Sequence, residues 1–284
     1  MMLAKDSAIF ECWTTLSALG MSTRKLRLCA LGLTPEFRNA ALSAKMVATL
    51  DNITNGRFEY LMRGIWTPDS FGVNLFGVPT SGEFDAYNVP WDAPEIKIER
   101  ATELVELSQR LWNEEKVSHH GKYYQVKDAV CNPKPAQRPR PPIFIEGDEE
   151  LHSLRLAAKV DGWCGAGPPT LMGRKVGVVK NYCKELGTDQ NRMRHAWLGY
   201  VLTGRSASHV EEKIRQIRAL NPKYPFDQNE FLNENIFGAP EQCISKVKQF
   251  VDAGVNYFAT FFLDYPSTES MEIFAKHVLP SFRR

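Results

Sequence analysis

The chain has 284 residues, of which 43% are hydrophobic and 24% are charged, and its formal net charge is +2. These values are typical of a globular protein, and the interspersed charges create no field that favours nucleic acid or an anionic membrane as a partner. No apolar run approaches the roughly 20 residues that cross a bilayer. The six cysteines lack metal-ligand or disulfide spacing, so we expect a cytoplasmic protein without a metal site.

Helical and strand patterns alternate along most of the chain. Apolar residues three and four positions apart mark the helices, and short apolar runs between turn residues mark the strands. In chain order the predicted elements are a helix over 10–21, a strand over 26–33, a helix over 39–50, a strand over 57–62, an irregular insertion over about 64–94, a helix over 95–112, a hairpin over 117–126, a strand over 143–146, a helix over 149–160, a strand over 162–164, a helix over 170–186, a strand over 197–202, helices over 208–220 and 241–253, a strand over 257–262 and a helix over 270–281.

Local signals set several of these boundaries. Asp6 or Ser7 is the expected N-cap of the first helix. The dipeptide Thr34-Pro35 ends the first strand, because proline has no N–H for a sheet and restrains the residue before it. The insertion is rich in glycine, proline and aromatic residues, and long irregular insertions of this kind usually carry a function. The hairpin is expected to expose His119 and His120 in a solvated turn.

Strands and helices that alternate with short loops predict right-handed crossovers and a parallel sheet. Six of the predicted strands belong to it. The sequence contains no P-loop and no glycine motif for dinucleotides.

Several short motifs follow one another in a fixed order. They are Gly32-Leu33-Thr34 at a strand end, Arg38 before a small-residue helix, Ala48-Thr49-Leu50-Asp51, Gly56-Arg57, Pro133-Lys134-Pro135, Gln137, Pro139, Asp161-Gly162-Trp163 and Gly238-Ala239-Pro240-Glu241. This set resembles the bacterial-luciferase-like superfamily of flavin- or deazaflavin-dependent oxidoreductases, and it is similar to the methylenetetrahydromethanopterin reductase type within that superfamily.

The resemblance implies an α/β fold, a TIM (β/α)8 barrel of the luciferase-like type. Only six barrel strands are predicted, so the first two strands of the barrel are expected to be missing from a single domain over 1–284. We therefore hypothesise that the natural reading frame begins about 40 residues upstream, the span of one strand–helix–strand unit. A partner chain or a distorted sheet would then cover the gap between the strands that begin at Leu26 and Tyr257.

The resemblance also implies a cofactor, either flavin mononucleotide (FMN) or coenzyme F-420, at the carboxyl ends of the strands. The positions that match cofactor-binding residues are Gly32, Leu33, Thr34 and Gly64 near the ring, and Gly147, Asp148, Gly165, Ala166 and Gly167 near the phosphate. Members of the family commonly have a cis peptide behind the ring, and the matching bond is Gly32-Leu33 or its neighbour. A glycine there is equally consistent with a tight backbone approach. The aromatic-rich segment 66–91 is the expected substrate lid.

The sequence departs from the family pattern where the phosphate would bind. Residues 146–150 read Glu-Gly-Asp-Glu-Glu, and of these only Gly147 matches the glycine-rich loop of relatives. The carboxylates would repel a phosphate, or, in the alternative interpretation, Asp148 is an N-cap and Glu149 and Glu150 complement the helix dipole. Arg174 and Lys175 could compensate from the next helix. Large side chains at Met62 and Arg63 would narrow the approach to the ring, and the family's aspartate–histidine pair would precede Met1, so no catalytic residue is assigned.

Two functions remain open. The first is an oxidoreductase that exchanges a hydride between its cofactor and a small organic substrate, and that forms a homodimer by resemblance. The second is a cofactor-free barrel with a structural or subunit-interface role, which the acidic loop and the missing strands favour.

Overall fold

The computed structural model describes residues 10–64, 84, 87–220 and 229–282. Helices and strands alternate along these residues. The strands are β1 (Leu28–Cys29), β2 (Phe58–Arg63), β3 (Val117–His120), β4 (Gln125–Ala129), β5 (Ile143–Glu146), β6 (Gly162–Gly165), β7 (Arg194–Thr203), β8 (Ile236–Gly238) and β9 (Tyr257–Phe262). The helices are α1 (Cys12–Ser22), α2 (Ala40–Ile53), α3 (Pro94–Asn113), α4 (Ser153–Ala157), α5 (Pro169–Leu186), α6 (Ala207–Leu220), α7 (Asn229–Glu234), α8 (Pro240–Asp252) and α9 (Glu269–Ile273).

Within the described residues, seven strands form one parallel sheet in the order β1-β2-β5-β6-β7-β8, and β9 also pairs with β7. Val201 of β7 is aligned with Ile236 of β8 and with Phe262 of β9, so these two strands lie on opposite edges of β7. The sequence predicts six of the seven strands. It misses β8, in which only the two apolar residues Ile236 and Phe237 precede Gly238.

Some helix boundaries differ from the predicted ones for identifiable reasons. The N-cap of α1 is Glu11, whose carboxylate accepts the Thr14 N–H at 2.8 Å; Asp6 and Ser7 lie outside the described residues. Of the predicted helix over 149–160, only the five residues of α4 are α-helical. The predicted last helix changes after α9 into a π-helical turn over Phe274–Val278 and a 3-10 turn over Leu279–Phe282.

The hairpin of β3 and β4 is fixed by one carboxylate on α3. Glu103 accepts the backbone N–H groups of Tyr123 and Tyr124, both at 2.9 Å, and lies 2.9 Å from His119 Nε2. The prediction that His119 belongs to a solvated turn is therefore wrong, whereas His120 is exposed as expected.

The two faces of the sheet differ in their surroundings. On β2, the alternate residues Phe58, Tyr60 and Met62 join the large core that the helices cover, because side chains alternate along a strand. Leu61 points to the other face. It packs in a second apolar cluster made of Leu31, Leu61, Phe144, Cys164, Ala196, Leu198, Tyr257 and Ala259. Side chains from β2 to β9, together with Leu31 just after β1, thus share one interior, which requires the sheet to curl.

Glu59, on the same inward face of β2, connects strands that are not neighbours. Its carboxylate lies 2.7 Å from Arg27 Nε, 2.9 Å from Arg194 NH1 and 2.9 Å from the Tyr257 hydroxyl. Its side chain is only 1% exposed. Three strands separate β2 from β9 in the sheet, so this contact closes the amino-terminal end of the interior.

None of the helices in the described part of the chain has the length and apolar composition needed to cross a membrane. All six cysteines are free thiols.

His195 is a buried histidine at the amino-terminal end of β7. It is 2% exposed, and neither of its ring nitrogens has a hydrogen-bond partner among the described residues. Burial, together with the positive charge of Lys180, lowers the pKa of His195 from 6.5 to about 4. The folded protein therefore holds this ring in its neutral form.

We expect the loss of Glu59 to destabilise the fold, because two arginines and a tyrosine lose their common partner. Glu59→Ala should lower the free energy of unfolding by roughly 3 kcal/mol, and Tyr257→Phe by about 1 kcal/mol. Urea unfolding followed by circular dichroism measures both. The control is Glu114→Ala, which removes an exposed carboxylate paired with Arg110 and should leave the free energy of unfolding nearly unchanged, because exposed ion pairs contribute little. Equal losses in Glu59→Ala and Glu114→Ala would contradict the proposed role of Glu59.

We expect His195 to make the protein sensitive to acid. The unfolded chain binds a proton near pH 6.5 and the folded chain only near pH 4, so stability is full above pH 6.5 and falls as the pH drops through this interval. The loss between pH 7.5 and pH 4 is about 3 kcal/mol. His195→Leu should remove that part of the pH dependence in urea titrations at the two pH values. The exposed His277→Leu should leave it unchanged, and an unaltered dependence in His195→Leu would refute the assignment.

Candidate functional site

The carboxyl ends of β1, β2, β5 and β6 form a continuous edge. Arg63 N–H donates to the Leu33 carbonyl at 3.0 Å, Gly64 N–H to the Glu146 carbonyl at 2.6 Å, and Gly147 N–H to the Cys164 carbonyl at 3.0 Å. The residues predicted from the sequence to bind the cofactor therefore lie along one edge of four adjacent strands.

Three residues from three strand ends converge at this edge. Gly32 has φ +68°, and a Cβ built on it would lie 2.8 Å from Glu146 Oε2 and 3.4 Å from Arg63 Nε. Only glycine fits such a position without strain. The peptide bond Gly32-Leu33 and its neighbours are not among the cis bonds of the described chain, which precede Pro133, Pro139 and Pro266. The cis-peptide prediction is therefore wrong, and the left-handed glycine provides the tight approach instead.

Arg63 is the cation of this edge. Its Nε is buried and has no hydrogen-bond partner among the described residues. The sequence identified Arg63 as an obstacle to a ring but not as a potential contact, although the alternation of β2 places it on the same inward face as Glu59. Met62 points away into the helix-covered core and is fully buried, so the prediction that Met62 narrows the site is wrong.

Gly64 allows β2 and β5 to approach each other closely beyond their last paired residues. A Cβ on Gly64 would lie 2.7 Å from the Glu146 carbonyl oxygen and 2.9 Å from Ser153 Oγ. A larger residue would push the two strand ends apart.

The acidic loop after β5 caps α4 with its own carboxylate. Glu149 Oε1 accepts the Leu151 N–H at 2.9 Å, and Oε2 accepts the N–H groups of His152 at 2.8 Å and Ser153 at 3.2 Å. The N-cap residue of α4 is His152 and not the predicted Asp148, and Glu149 supplies the carboxylate that accepts the N–H groups of residues 151–153. Asp148 is buried, and its carbonyl accepts a hydrogen bond from Lys175 Nζ.

Arg174 and Lys175, the cations expected to compensate for the acidic residues near a phosphate, pair with a carboxylate of this same loop. Glu150 lies 3.0 Å from Arg174 NH2 and 3.2 Å from Lys175 Nζ. Because Lys175 also bonds the Asp148 carbonyl, it is held against the loop.

Two tryptophans fix the loops after β5 and β6 in the same way. Trp163 Nε1 donates to the Gly147 carbonyl at 2.6 Å, and Trp197 Nε1 donates to the Gly167 carbonyl at 3.2 Å. Each indole lies over the glycine two residues later in its strand, and a Cβ on Gly165 would stand 2.1 Å from the Trp163 ring. Gly165 is therefore explained by this packing, and the buried Ala166 follows it. The sequence signal for this packing is a tryptophan two residues before a glycine, which occurs at Trp163–Gly165 and again at Trp197–Gly199.

Glu36 is a titratable group in the loop after β1, close to the predicted Thr34. Burial raises its pKa, although Lys97 and Arg100 partly offset that effect. Its Oε2 is buried without a hydrogen-bond partner in the part of the chain that the structure describes. A carboxyl group in such a setting is suited to hold a proton. The sequence analysis missed Glu36, because its burial depends on tertiary packing.

Most of the predicted lid over 66–91 lies outside the described residues. Its described aromatic residues pack beside Glu36: the Phe84 ring is 4.7 Å from Phe37 and 4.8 Å from Trp91, and Lys97 Nζ lies 3.0 Å from the Trp91 ring centre.

Residues 1–257 match the family model described as luciferase-like monooxygenase. The chain is 26% identical over 302 residues to the FMNH(2)-dependent dimethylsulfone monooxygenase of Pseudomonas putida, covering 96% of this chain and 78% of the relative. It is 24% identical over 293 residues to the F420-dependent glucose-6-phosphate dehydrogenase of Intrasporangium calvum, covering 94% of this chain and 83% of the relative. The chain therefore belongs to the luciferase-like monooxygenase family.

The solved structure of an F420-dependent secondary alcohol dehydrogenase in complex with an F420-acetone adduct has the same fold, with a TM-score of 0.76 and 21% identity over 99% of this chain and 86% of that chain. The predicted family is confirmed, and so is the α/β fold related to the TIM barrel, to which the described residues contribute seven strands. The relatives are flavin- or F420-dependent enzymes, which supports the oxidoreductase interpretation and not the cofactor-free barrel.

Proposed function

We propose that this protein is a flavin- or deazaflavin-dependent oxidoreductase that exchanges a hydride with a small organic substrate at the carboxyl edge of its curled sheet. The observation that carries this proposal is the convergence of Gly32, Arg63 and Glu146, where the buried Nε of Arg63, which has no hydrogen-bond partner among the described residues, lies beside Gly32. A bound flavin or deazaflavin would supply the redox chemistry, while the protein supplies binding and electrostatics.

The residues at this edge suit a planar ring. Gly32 and Gly64 let their strand ends approach Glu146 closely, and Arg63 offers a charged N–H donor for an electron-rich carbonyl or ring nitrogen. Leu33 and Thr34 continue the strand end beside Gly32. We keep these positions, together with Gly147, Asp148, Gly165, Ala166 and Gly167, as the proposed lining of the cofactor site.

Glu36 is the proposed proton-holding group next to this lining. Because burial raises the pKa of Glu36, its carboxyl group stays protonated up to a higher pH than the carboxyl group of an exposed glutamate. The adjoining aromatic residues would exclude water from the substrate.

We further propose, from the resemblance, a cytoplasmic homodimer with one barrel domain over 1–284 and a substrate lid within the insertion. Light scattering of the purified protein tests the dimer.

The proposed function predicts that the purified protein binds a flavin or F-420 and that Arg63 contributes to binding. We expect Arg63→Met to raise the dissociation constant of the preferred cofactor about tenfold, which corresponds to the loss of about 1.4 kcal/mol. Quenching of cofactor fluorescence measures both values.

The control is Arg192→Met, which removes an arginine that is 89% exposed and should bind the cofactor like the unaltered protein. Failure of the unaltered protein to bind any of these cofactors, oxidised or reduced, would contradict the proposed function.

A further inference from the structure

We propose that Glu149 makes this protein indifferent to the cofactor phosphate, so that it accepts phosphate-free flavins and deazaflavins as well as their phosphorylated forms. This inference rests on the proposed function, because it concerns the cofactor of the same site. It assigns a specificity-determining role to a residue of the β5 loop.

The first argument is that the backbone donors of this loop are already occupied. A phosphate near a strand end is usually held by consecutive backbone N–H groups. Here the N–H groups of Leu151, His152 and Ser153 all donate to the Glu149 carboxylate at 2.8–3.2 Å. A phosphate would have to displace this carboxylate to reach the same donors.

The second argument concerns charge. Burial alone would raise the pKa of Glu149, but the three N–H donors and the nearby His152 bring it below its ordinary value. The carboxylate is therefore ionised at neutral pH, and it repels a phosphate dianion that approaches the loop. The structure thus places a fixed negative charge where a phosphate would need a positive one.

The third argument is that the neighbouring cations do not offset this charge. Arg174 and Lys175 both pair with Glu150 at 3.0–3.2 Å, and Lys175 also bonds the Asp148 carbonyl. A phosphate would have to break these contacts as well.

The ring-binding edge is independent of Glu149. Gly32 and Arg63 belong to β1, β2 and the loop that follows β1, and their packing against Glu146 involves none of the Glu149 contacts. The strand ends can therefore contact a flavin ring, whereas the N–H groups of residues 151–153 on the β5 loop are occupied by Glu149 and do not bind a phosphate.

The test compares pairs of cofactors that differ only in the phosphate. Dissociation constants are measured by fluorescence quenching at low salt for riboflavin against FMN, and for the deazaflavin nucleoside against its 5′-phosphate. The unaltered protein should bind the phosphorylated member of each pair no more tightly than the phosphate-free member. Glu149→Gln keeps an acceptor for the N–H groups but removes the charge, and it should shift the ratio at least fivefold in favour of the phosphorylated member.

Glu185→Gln is the matched control, because it changes the net charge equally near the far end of α5, where Glu185 pairs with Arg155. It should leave both ratios unchanged. A tenfold preference of the unaltered protein for FMN over riboflavin, or for the deazaflavin phosphate, would overturn this inference and leave the proposed function standing. An unchanged ratio in Glu149→Gln would also overturn it. If neither F-420 nor any of the four compounds binds, oxidised or reduced, the proposed function fails and the inference fails with it.

Discussion

The curl of the sheet depends on a carboxylate that four separate segments of the chain share. Glu59 lies on β2, and its carboxylate contacts Arg27 just before β1, Arg194 on β7 and Tyr257 on β9. Burying a carboxylate is costly unless its partners are close and well oriented, and both oxygens here have partners within 3 Å. This contact draws the edge strands β1 and β9 toward a common interior, and the apolar layer above Glu59 then fills the space.

The strand that carries Glu59 at one end of the interior carries Arg63 at the opposite end. Alternate residues of a strand share a face, so Arg63, four residues after Glu59, points inward at the carboxyl end beside Gly32. The two tryptophan indoles hold the loops after β5 and β6 from the outer face. One end of the interior is thus closed by ion pairs, and the other presents a cation between glycines. The loop after β5 adds the Glu149 carboxylate on the N–H groups of residues 151–153, and we propose that it separates ring recognition from phosphate recognition.

Sequence reasoning was most reliable where the signal is local and periodic. β5 and β9 begin and end as predicted, because short apolar runs between turn residues define them, and α3 and α5 differ from prediction by one residue at most at either end. β8 has only two apolar residues before Gly238, so no pattern marks it as a strand. α4 was overestimated because Glu149 folds back onto the backbone N–H groups, which periodicity does not reveal. The predicted glycines do lie at one edge, whereas the contribution of Arg63 and the burial of Glu36 depend on contacts between distant segments. The pairing of Glu59 is of the same kind, since Arg194 is 135 residues away.

The most direct test of this account is a crystal structure of the protein with FMN bound. The account predicts the flavin ring against Gly32 and within hydrogen-bond distance of Arg63, with the Glu149 carboxylate still on the N–H groups of residues 151–153 and the phosphate away from them. A phosphate seated on those N–H groups with Glu149 displaced, or a ring bound anywhere other than the carboxyl edge, would contradict it.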